Sequence, residues 1–535
     1  MNVKNALLSV YDKTGIAQFA GALVALGYTI YASGGTATVL KKASIPVVDV
    51  ADLVGGGAIL GHRVVTLSRE VHAALLARPI PEDLAELDRL GIPFIDLVCV
   101  DLYPLSQEID RPGSTLESVI DMTDIGGPTL LRSAAKGRRI VVSSRALRGE
   151  VLDWLQEGQP KETKFRRYLA GQAEALVASY ALESAKYLSE GGVGGIVGQR
   201  VQLCEYGENA WQEGAALYSD GSSDPLGLLR FTAVAGRPPS YNNLAEILFR
   251  QLQTMTHIAA GFDLNFGTVP FIAIGTKHGN ACGAAAVADS REALRRMLAG
   301  DPRAIFGGLV MVNFDIDEEV AELLLRQGVT SGKRLLDAIC APSFTSGAIQ
   351  LLERRGAKCR LLVNPALASL SKGSLDKTPI IRAVRGGWLQ QPNYTFVWDL
   401  NDPELEAIGR LTPAQAHDTI LAWAICATSN SNTITLVRDG QLLGNGVGQQ
   451  DRVSCCELAI KRAVDAGHKV KGAVAASDSF FPFEDGPEVL AHAGVTVILA
   501  TSGSVRDQQV RDVCEAEGVN LVRLPDRRAR SFFGH

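Results

Sequence analysis

The sequence predicts an α/β chain of two domains, and three observations carry that prediction. Short apolar runs alternate with amphipathic stretches over residues 1–150, the pattern of a parallel sheet with helices on its faces. A glycine-rich tract, "GGVGGIVG" from Gly191 to Gly198, then interrupts the chain as a hinge would. Beyond it the strands change character and end in polar clusters, such as "FIAIGTKHGN", "FGGLVMVNFD" and "AVAASDSFFPFEDG".

Taken in order, "NALLSVY" reads as a strand, "TGIAQFAGALVAL" as a helix and "YTIYASGG" as a strand plus loop. "FIDLVCVDLYPL" is a further buried strand, and residues 165–190 read as one or two helices. In the second half, Arg438-Asp439-Gly440 lies between two apolar runs as a hairpin signal. No short-period repeat or low-complexity tract stands out.

Composition narrows the class. With 535 residues, 46% hydrophobic and 21% charged, the chain has the make-up of a soluble globular protein large enough for several cores. A net charge of -5 gives no bulk pull toward nucleic acid or acidic membranes, and no basic block is interleaved with aromatics. The N-terminus lacks a signal-peptide pattern, and no run approaches the ~18 apolar residues of a membrane helix. The nine cysteines include no C-x-x-C pair, so neither a metal site nor a disulfide framework is expected. A reducing cytoplasm is the expected setting.

Several short stretches have the residue types of chemistry. "YASGGTATVL" places Ser33, Gly34, Gly35 and Thr36 between a strand and a helix, which suits a phosphate on free N–H groups or a plain capped turn. "DIGGPTLLRSAAK" opens with Asp124 and ends with Lys136; an Asp there serves as a cap or as a catalyst. Tyr103 follows a buried strand. The sharpest pair is Lys277-His278, at the end of an apolar strand. A neighbouring ammonium disfavours the imidazolium and keeps a histidine able to accept a proton; the bland alternative is a solvated strand end. Asn432 stands at the mouth of another strand, where an amide can hold an oxyanion. "ASDSFFPFEDG" gathers Asp478, Phe480, Phe481, Pro482 and Phe483, which read as a slot for a flat ligand.

These stretches together resemble one family, the bifunctional AICAR transformylase/IMP cyclohydrolase of purine biosynthesis. "LLSVYDKTGI", "ASGGTA", "DLYP", "DIGGPTLLRSAAK", "YGEN", "SYNNLA", "KHGNACG", "FGGLV", "APSF", "GNGVGQQDR", "SDSFFPFEDG" and "SGSVRD" follow the family's order through nearly the whole chain. The resemblance implies a methylglyoxal-synthase-like cyclohydrolase domain over residues 1–197. A transformylase domain of two cytidine-deaminase-like subdomains would follow over 198–535, in a homodimer with sites at the subunit interface. It implies 10-formyltetrahydrofolate as co-substrate and no metal.

By the same resemblance, His278 assists loss of the acceptor amine's proton, Lys277 handles proton and charge, and Asn432 orients the reacting groups. Gly448, Gln449, Asp478, Phe480, Phe481, Pro482, Phe483 and Asp485 match the folate side. Ser9, Lys13, Ser33, Gly34, Thr36 and Arg63 match nucleotide-binding positions of the cyclohydrolase, with Tyr103, Asp124 and Lys136 in ring closure. Tyr206 and Asn242 match the transformylase's substrate side.

The departures from the family cluster at sites. Val65 stands where the family has a lysine of the cyclohydrolase, and Ser68-Arg69 replace His-Pro. Glu205 and Ser531 replace two arginines that contact the nucleotide, with Arg530 one residue away. Glu484 replaces an arginine, and Ala427-Thr428 stand where many bacterial members have Lys-His. Three readings follow. One is a working AICAR formyltransferase with weakened ring closure. Another is a paralogue that formylates a different, unphosphorylated amine. The last is a silent nucleotide-binding homologue, against which the retained Lys277, His278 and Asn432 speak.

Overall fold

Apolar hexapeptides and pentapeptides set the first sheet. The computed structural model describes residues 4–60 and 64–534. Strands β1 (Lys4–Ser9), β2 (Tyr28–Ala32), β3 (Val48–Asp49), β4 (Leu97–Val100) and β5 (Ile140–Val142) are all parallel, in the order β3-β2-β1-β4-β5. Ala6 and Leu8 pack into a core with Leu23, Ile30 and Trp154; Leu7 faces the other way, with Val98 and Leu131. Burial on both faces explains why these strands read as continuous apolar runs. The stretch read as one or two helices over residues 165–190 is a single 27-residue helix, Glu162–Leu188, capped by Ser189.

The chain forms two compact units, Met1–Gln199 and Arg200–His535. The second opens with a ribbon of β6 (Gln199–Leu203) and β7 (Ala216–Ser219), then strand β8 (Thr232–Ala235). A hairpin follows, β9 (Phe271–Lys277) and β10 (Asn280–Val287), then β11 (Leu309–Val312), β12 (Ala338–Ala341) and β13 (Arg360–Val363). After a small ribbon, β14 (Ile380–Val384) with β15 (Gly387–Gln391), comes the short strand β16 (Glu406–Ala407). A second hairpin, β17 (Ile434–Arg438) and β18 (Gln441–Gly446), leads to β19 (Val474–Ser477), β20 (Val497–Ser502) and β21 (Asn520–Pro525).

Twelve of these strands make one sheet, in the order β16-β21-β20-β19-β17-β18-β10-β9-β11-β12-β13-β8. The order is the same from either end: a hairpin, three strands outward, then an edge strand. The helices repeat as well. A helix precedes each hairpin (241–266 and Pro413–Cys426), and helices separate the strands after it. The halves meet where β10 pairs antiparallel with β18, Ala285 opposite Gln441.

Each hairpin turns on two residues of positive φ, His278 (52°) with Gly279 (74°) and Asp439 (54°) with Gly440 (72°). This is the two-residue turn whose twist matches antiparallel strands. It accepts a histidine or aspartate first and favours glycine second. Arg438-Asp439-Gly440 is thus the expected hairpin. Lys277-His278-Gly279-Asn280 is its counterpart in the first half, a turn rather than a strand running out into a loop. Among the described residues no helix is long and apolar enough to cross a membrane, and all nine cysteines are free.

Candidate active sites

In the first unit, β1, β2 and β4 end side by side, at the point where the strand order reverses between β1 and β4. Parallel sheets bind ligands there. Ser9 Oγ lies 3.5 Å from Ser33 Oγ. Thr36 is buried, and its hydroxyl sits 3.3 Å from both the N and O of Val10. Lys13 donates to Val10 O and lies along Gly35, where a Cβ would come within 3.5 Å of its Cε. Gly34, with φ of 47°, opens a helix whose first N–H groups have no side-chain cap. Burial lowers the Lys13 pKa, while the charge of Asp101 opposes the shift.

Tyr103 is exposed and leans on Tyr11, ring centroids 5.4 Å apart. Asp124 accepts from Gly127 N at 2.8 Å, and burial pushes its carboxyl up. A side chain at Gly127 would strike that carboxylate, its Cβ 2.5 Å from Oδ2, and would push it aside. Lys136 does not join them. It is exposed at the far end of the 11-residue helix Gly126–Lys136, its backbone ~15 Å along the axis from Gly126. Val65 is half-buried in the apolar cluster around Val71 and Leu131, and Ser68 caps the helix Arg69–Leu76 through Val71 N (3.1 Å). Arg63 lies outside the described residues.

In the second unit, the Lys277–Asn280 turn, the loop before β17 and the loop after β18 come together at one end of the sheet. The pairing of β10 with β18 enforces this. Asn280 Oδ1 accepts from Asn430 N (3.0 Å), Gly448 N donates to Asn430 O (2.8 Å), and Asn432 Nδ2 donates to Gln449 O (2.9 Å). His278 is exposed at the turn, and Lys277 is half-buried beside Gly307. The C-terminal segment closes one side, with Ser431 N donating to Phe533 O (3.4 Å).

The residues that the resemblance matches to a folate side separate into two groups. Asp478 and Phe481 are not available as slot walls. Asp478 is fully buried in an ion pair with Arg452, and its Oδ2 accepts from Thr433 N (3.0 Å). Phe481 is 2% exposed and packs in the core against Leu490 and Cys456. Phe480, Pro482, Phe483 and Asp485 remain accessible, as do Gly448 and Gln449. Glu484 pairs with Arg506 at 3.4 Å, and that guanidinium lies over Phe483, 5.2 Å from its centroid.

Among the residues matched by resemblance to a nucleotide side, Glu205 is exposed and makes no ion pair among the described residues; Tyr206 beside it is half-buried. Asn242 Nδ2 donates to Glu208 O (3.2 Å), tying this segment to the start of the 241–266 helix. Ser531 is buried, its hydroxyl donating to Ala529 O, and Arg530 is engaged with Asp526. Ala427 and Thr428 are buried, with Thr428 Oγ1 2.9 Å from Thr254 Oγ1.

Sequence reasoning missed Glu246 and Arg250. Both lie on a π-helical stretch, Ala245–Gln251, inside the 241–266 helix; such stretches often occur at functional sites. Glu246 lies against the backbone N–H groups of Gly279 and His278, and its Oε2 is buried without a partner. Burial pushes its carboxyl up, against the pull of those N–H groups and of His278. In the second half, Asp418 does the same for the other turn, accepting from Asp439 N (2.8 Å) and Gly440 N (2.6 Å). The spacing of Glu246 to its turn carries no local signal; the repeated architecture reveals it.

Known proteins match this arrangement along the chain. The AICARFT/IMPCHase bienzyme family model matches residues 134–462, and an MGS-like domain matches residues 15–129. A bifunctional purine biosynthesis protein PurH of Acetivibrio thermocellus is 33% identical, covering 97% of this chain and 98% of its own. The protein of that name from Rhodopirellula baltica is 36% identical, covering 97% of each. A solved chain titled "Crystal structure of ForH" is 34% identical, covering 36% of this chain and 100% of its own, with a TM-score of 0.32. The chain therefore belongs to the AICARFT/IMPCHase bienzyme family, with an MGS-like domain followed by a transformylase-type domain.

Proposed function

We propose that this protein transfers a formyl group from 10-formyltetrahydrofolate to the 5-amino group of AICAR, and that it closes the product to IMP weakly. The observation that carries the reading is the convergence of the Lys277-His278 turn, Asn432 and Glu246 at one end of the twelve-stranded sheet. The amine nitrogen attacks the formyl carbon, and the bond from that carbon to N10 of the folate breaks. The amine proton passes to the His278 imidazole, and N10 takes up a proton as it leaves. Lys277 offsets the negative charge that develops on the formyl oxygen. Asn432, tied to Gln449, orients the groups. Phe480, Pro482, Phe483, Asp485, Gly448 and Gln449 form the folate side, and Tyr206 and Asn242 the acceptor side. Exposed Trp211, Phe249, Phe306 and Trp388 support assembly as a homodimer. The protein is assigned to the cytoplasm.

In the first unit, Ser9, Lys13, Ser33, Gly34 and Thr36 hold the nucleotide, and Tyr103 with Asp124 serves ring closure, with loss of water. Val65 contributes no charge there, and Lys136 is remote. Cyclisation is accordingly the slower activity.

A second reading, formylation of an unphosphorylated amine, is favoured by one observation: neither Glu205, Ser531 nor Arg530 offers a free cation to a phosphate. The test is His278→Ala, assayed for tetrahydrofolate release with AICAR and with its dephosphorylated riboside. A ~100-fold or greater loss on whichever amine is used, with unchanged thermal stability, supports the assignment. Unchanged turnover removes it.

A further inference from the structure

We propose that Arg250 binds the phosphate of the formyl acceptor, replacing from the helix side the cations absent at positions 205 and 531. The inference rests on the formyltransferase reading only for the choice of acceptor. Arg250 leaves the π-helical stretch one turn after Glu246 and runs beneath the Lys277–Asn280 turn. A Cβ at Gly279 would lie 3.3 Å from its Cγ, and one at Gly534 would lie 3.0 Å from both Nη1 and Nη2. Its guanidinium packs over Phe533, 4.6 Å from the centroid, and beside Phe249 at 5.0 Å. Nη1 is buried and has no hydrogen-bond partner.

Arg250 is half-buried, and the one buried N–H it leaves unpaired is costly unless a ligand completes it. Its surroundings point to an anion. The nearest acid on its own helix, Glu246, is turned to the backbone of His278 and Gly279; its charge is felt at Arg250, but no ion pair joins the two among the described residues. Tyr394 and Arg382 are the other charged or titratable neighbours, and neither is a carboxylate. Two further polar groups wait at the same place. Asn430 Oδ1 is buried and unpartnered, 3.1 Å from where a Gly534 Cβ would stand, and Ser431 Oγ is buried and unpartnered next to it. The hydroxyl can present a donor as it stands, and the Asn430 amide presents its Nδ2 in place of Oδ1 once turned over. Arg250 and the Asn430 amide meet at Gly534, and with the Ser431 hydroxyl next in the chain they supply the group types of a phosphate-binding set. The set adjoins the turn carrying His278, so a nucleotide held there would keep its amine near the proton acceptor.

The test measures equilibrium binding of AICAR and of its riboside, without folate, to the full chain and to Arg250→Ala, Arg250→Lys and Gly534→Ala. Without folate, failure of formyl transfer leaves the result intact. Because the substitutions lie in the second unit, any binding in the first is common to all variants. The wild type should bind AICAR ~10- to 100-fold tighter than the riboside, the span of one hydrogen bond to a charged group. Arg250→Ala should remove that preference, and Arg250→Lys should keep part of it. Gly534→Ala, which crowds the guanidinium from the other side without touching the helix, should weaken AICAR alone. No preference in the wild type, a preference that survives Arg250→Ala, or an equal loss for both ligands would overturn the proposal.

Discussion

Replacing Arg452 by methionine probes what fixes the second-unit site. The Arg452 side chain is 8% exposed and that of Asp478 is 0%. The Asp478 carboxylate also accepts from Thr433 N, the residue after Asn432, while its backbone O accepts from Ser531 N at 2.9 Å. One ion pair therefore ties the Asn432 loop to the C-terminal segment. Methionine keeps the aliphatic bulk and removes the charge, leaving a buried carboxylate with a single N–H. Breaking a buried pair from one side costs about 3–5 kcal/mol. For a unit of 336 residues (535 less 199), at ~2 °C per kcal/mol, the melting temperature should fall by ~6–10 °C. Arg452→Met/Asp478→Leu, which removes both charges, should recover most of the loss. Differential scanning calorimetry of the wild type, both single variants and the double variant measures the coupling. A fall under ~2 °C for Arg452→Met, or a double variant that loses the sum of the two singles, would refute the claim that the pair acts as a unit.

Other outcomes follow from the same geometry. Val65→Lys should raise the rate at which formylated AICAR closes to IMP, followed by absorbance of the product; no gain would mean that more than this side chain has changed. Asp418 is buried, and burial raises its pKa to about 6 from 3.8. Its contribution to stability is therefore complete below pH ~4 and lost as the pH rises through 6, a difference of ~3 kcal/mol. Relative to Asp418→Asn, the wild type should lose stability to urea between pH 4 and 7; a constant difference would contradict the raised value. Phe481→Ala should destabilise by ~3–5 kcal/mol as a core truncation. Phe483→Ala should leave stability within ~0.5 kcal/mol and raise KM for the folate; the opposite pattern would exchange their roles.

Much of this molecule was legible in its sequence, and the failures have physical causes. The strands of the first sheet are buried on both faces, so "ALL" and "LVCV" announce them without alternation. Asp439-Gly440 signals its hairpin because both residues tolerate positive φ. His278-Gly279 makes the same turn, but its lysine and histidine drew a chemical reading that hid the conformational one. Lys136 looked like a partner of Asp124 because the two share a motif; the helix between them carries one away from the other. In "SDSFFPF" the residues belong to different environments: Asp478 meets Arg452, Phe481 enters the core, and Phe483 stays outside. Only long-range packing decides that. Glu246 and Arg250 depend on a chain fold that brings residues 246 and 250 under residues 277–280 and beside residue 534, which no local pattern encodes.

We propose above that the Lys277-His278 site moves a formyl group to AICAR. The most direct measurement of that step is a turnover experiment with 10-formyltetrahydrofolate and AICAR on the wild-type chain, quantifying tetrahydrofolate, formylated AICAR and IMP separately. Tetrahydrofolate should be released in step with the sum of the two purine products, and formylated AICAR should accumulate ahead of IMP. Folate released without either product, or no release with AICAR while the riboside is formylated, would contradict the proposal.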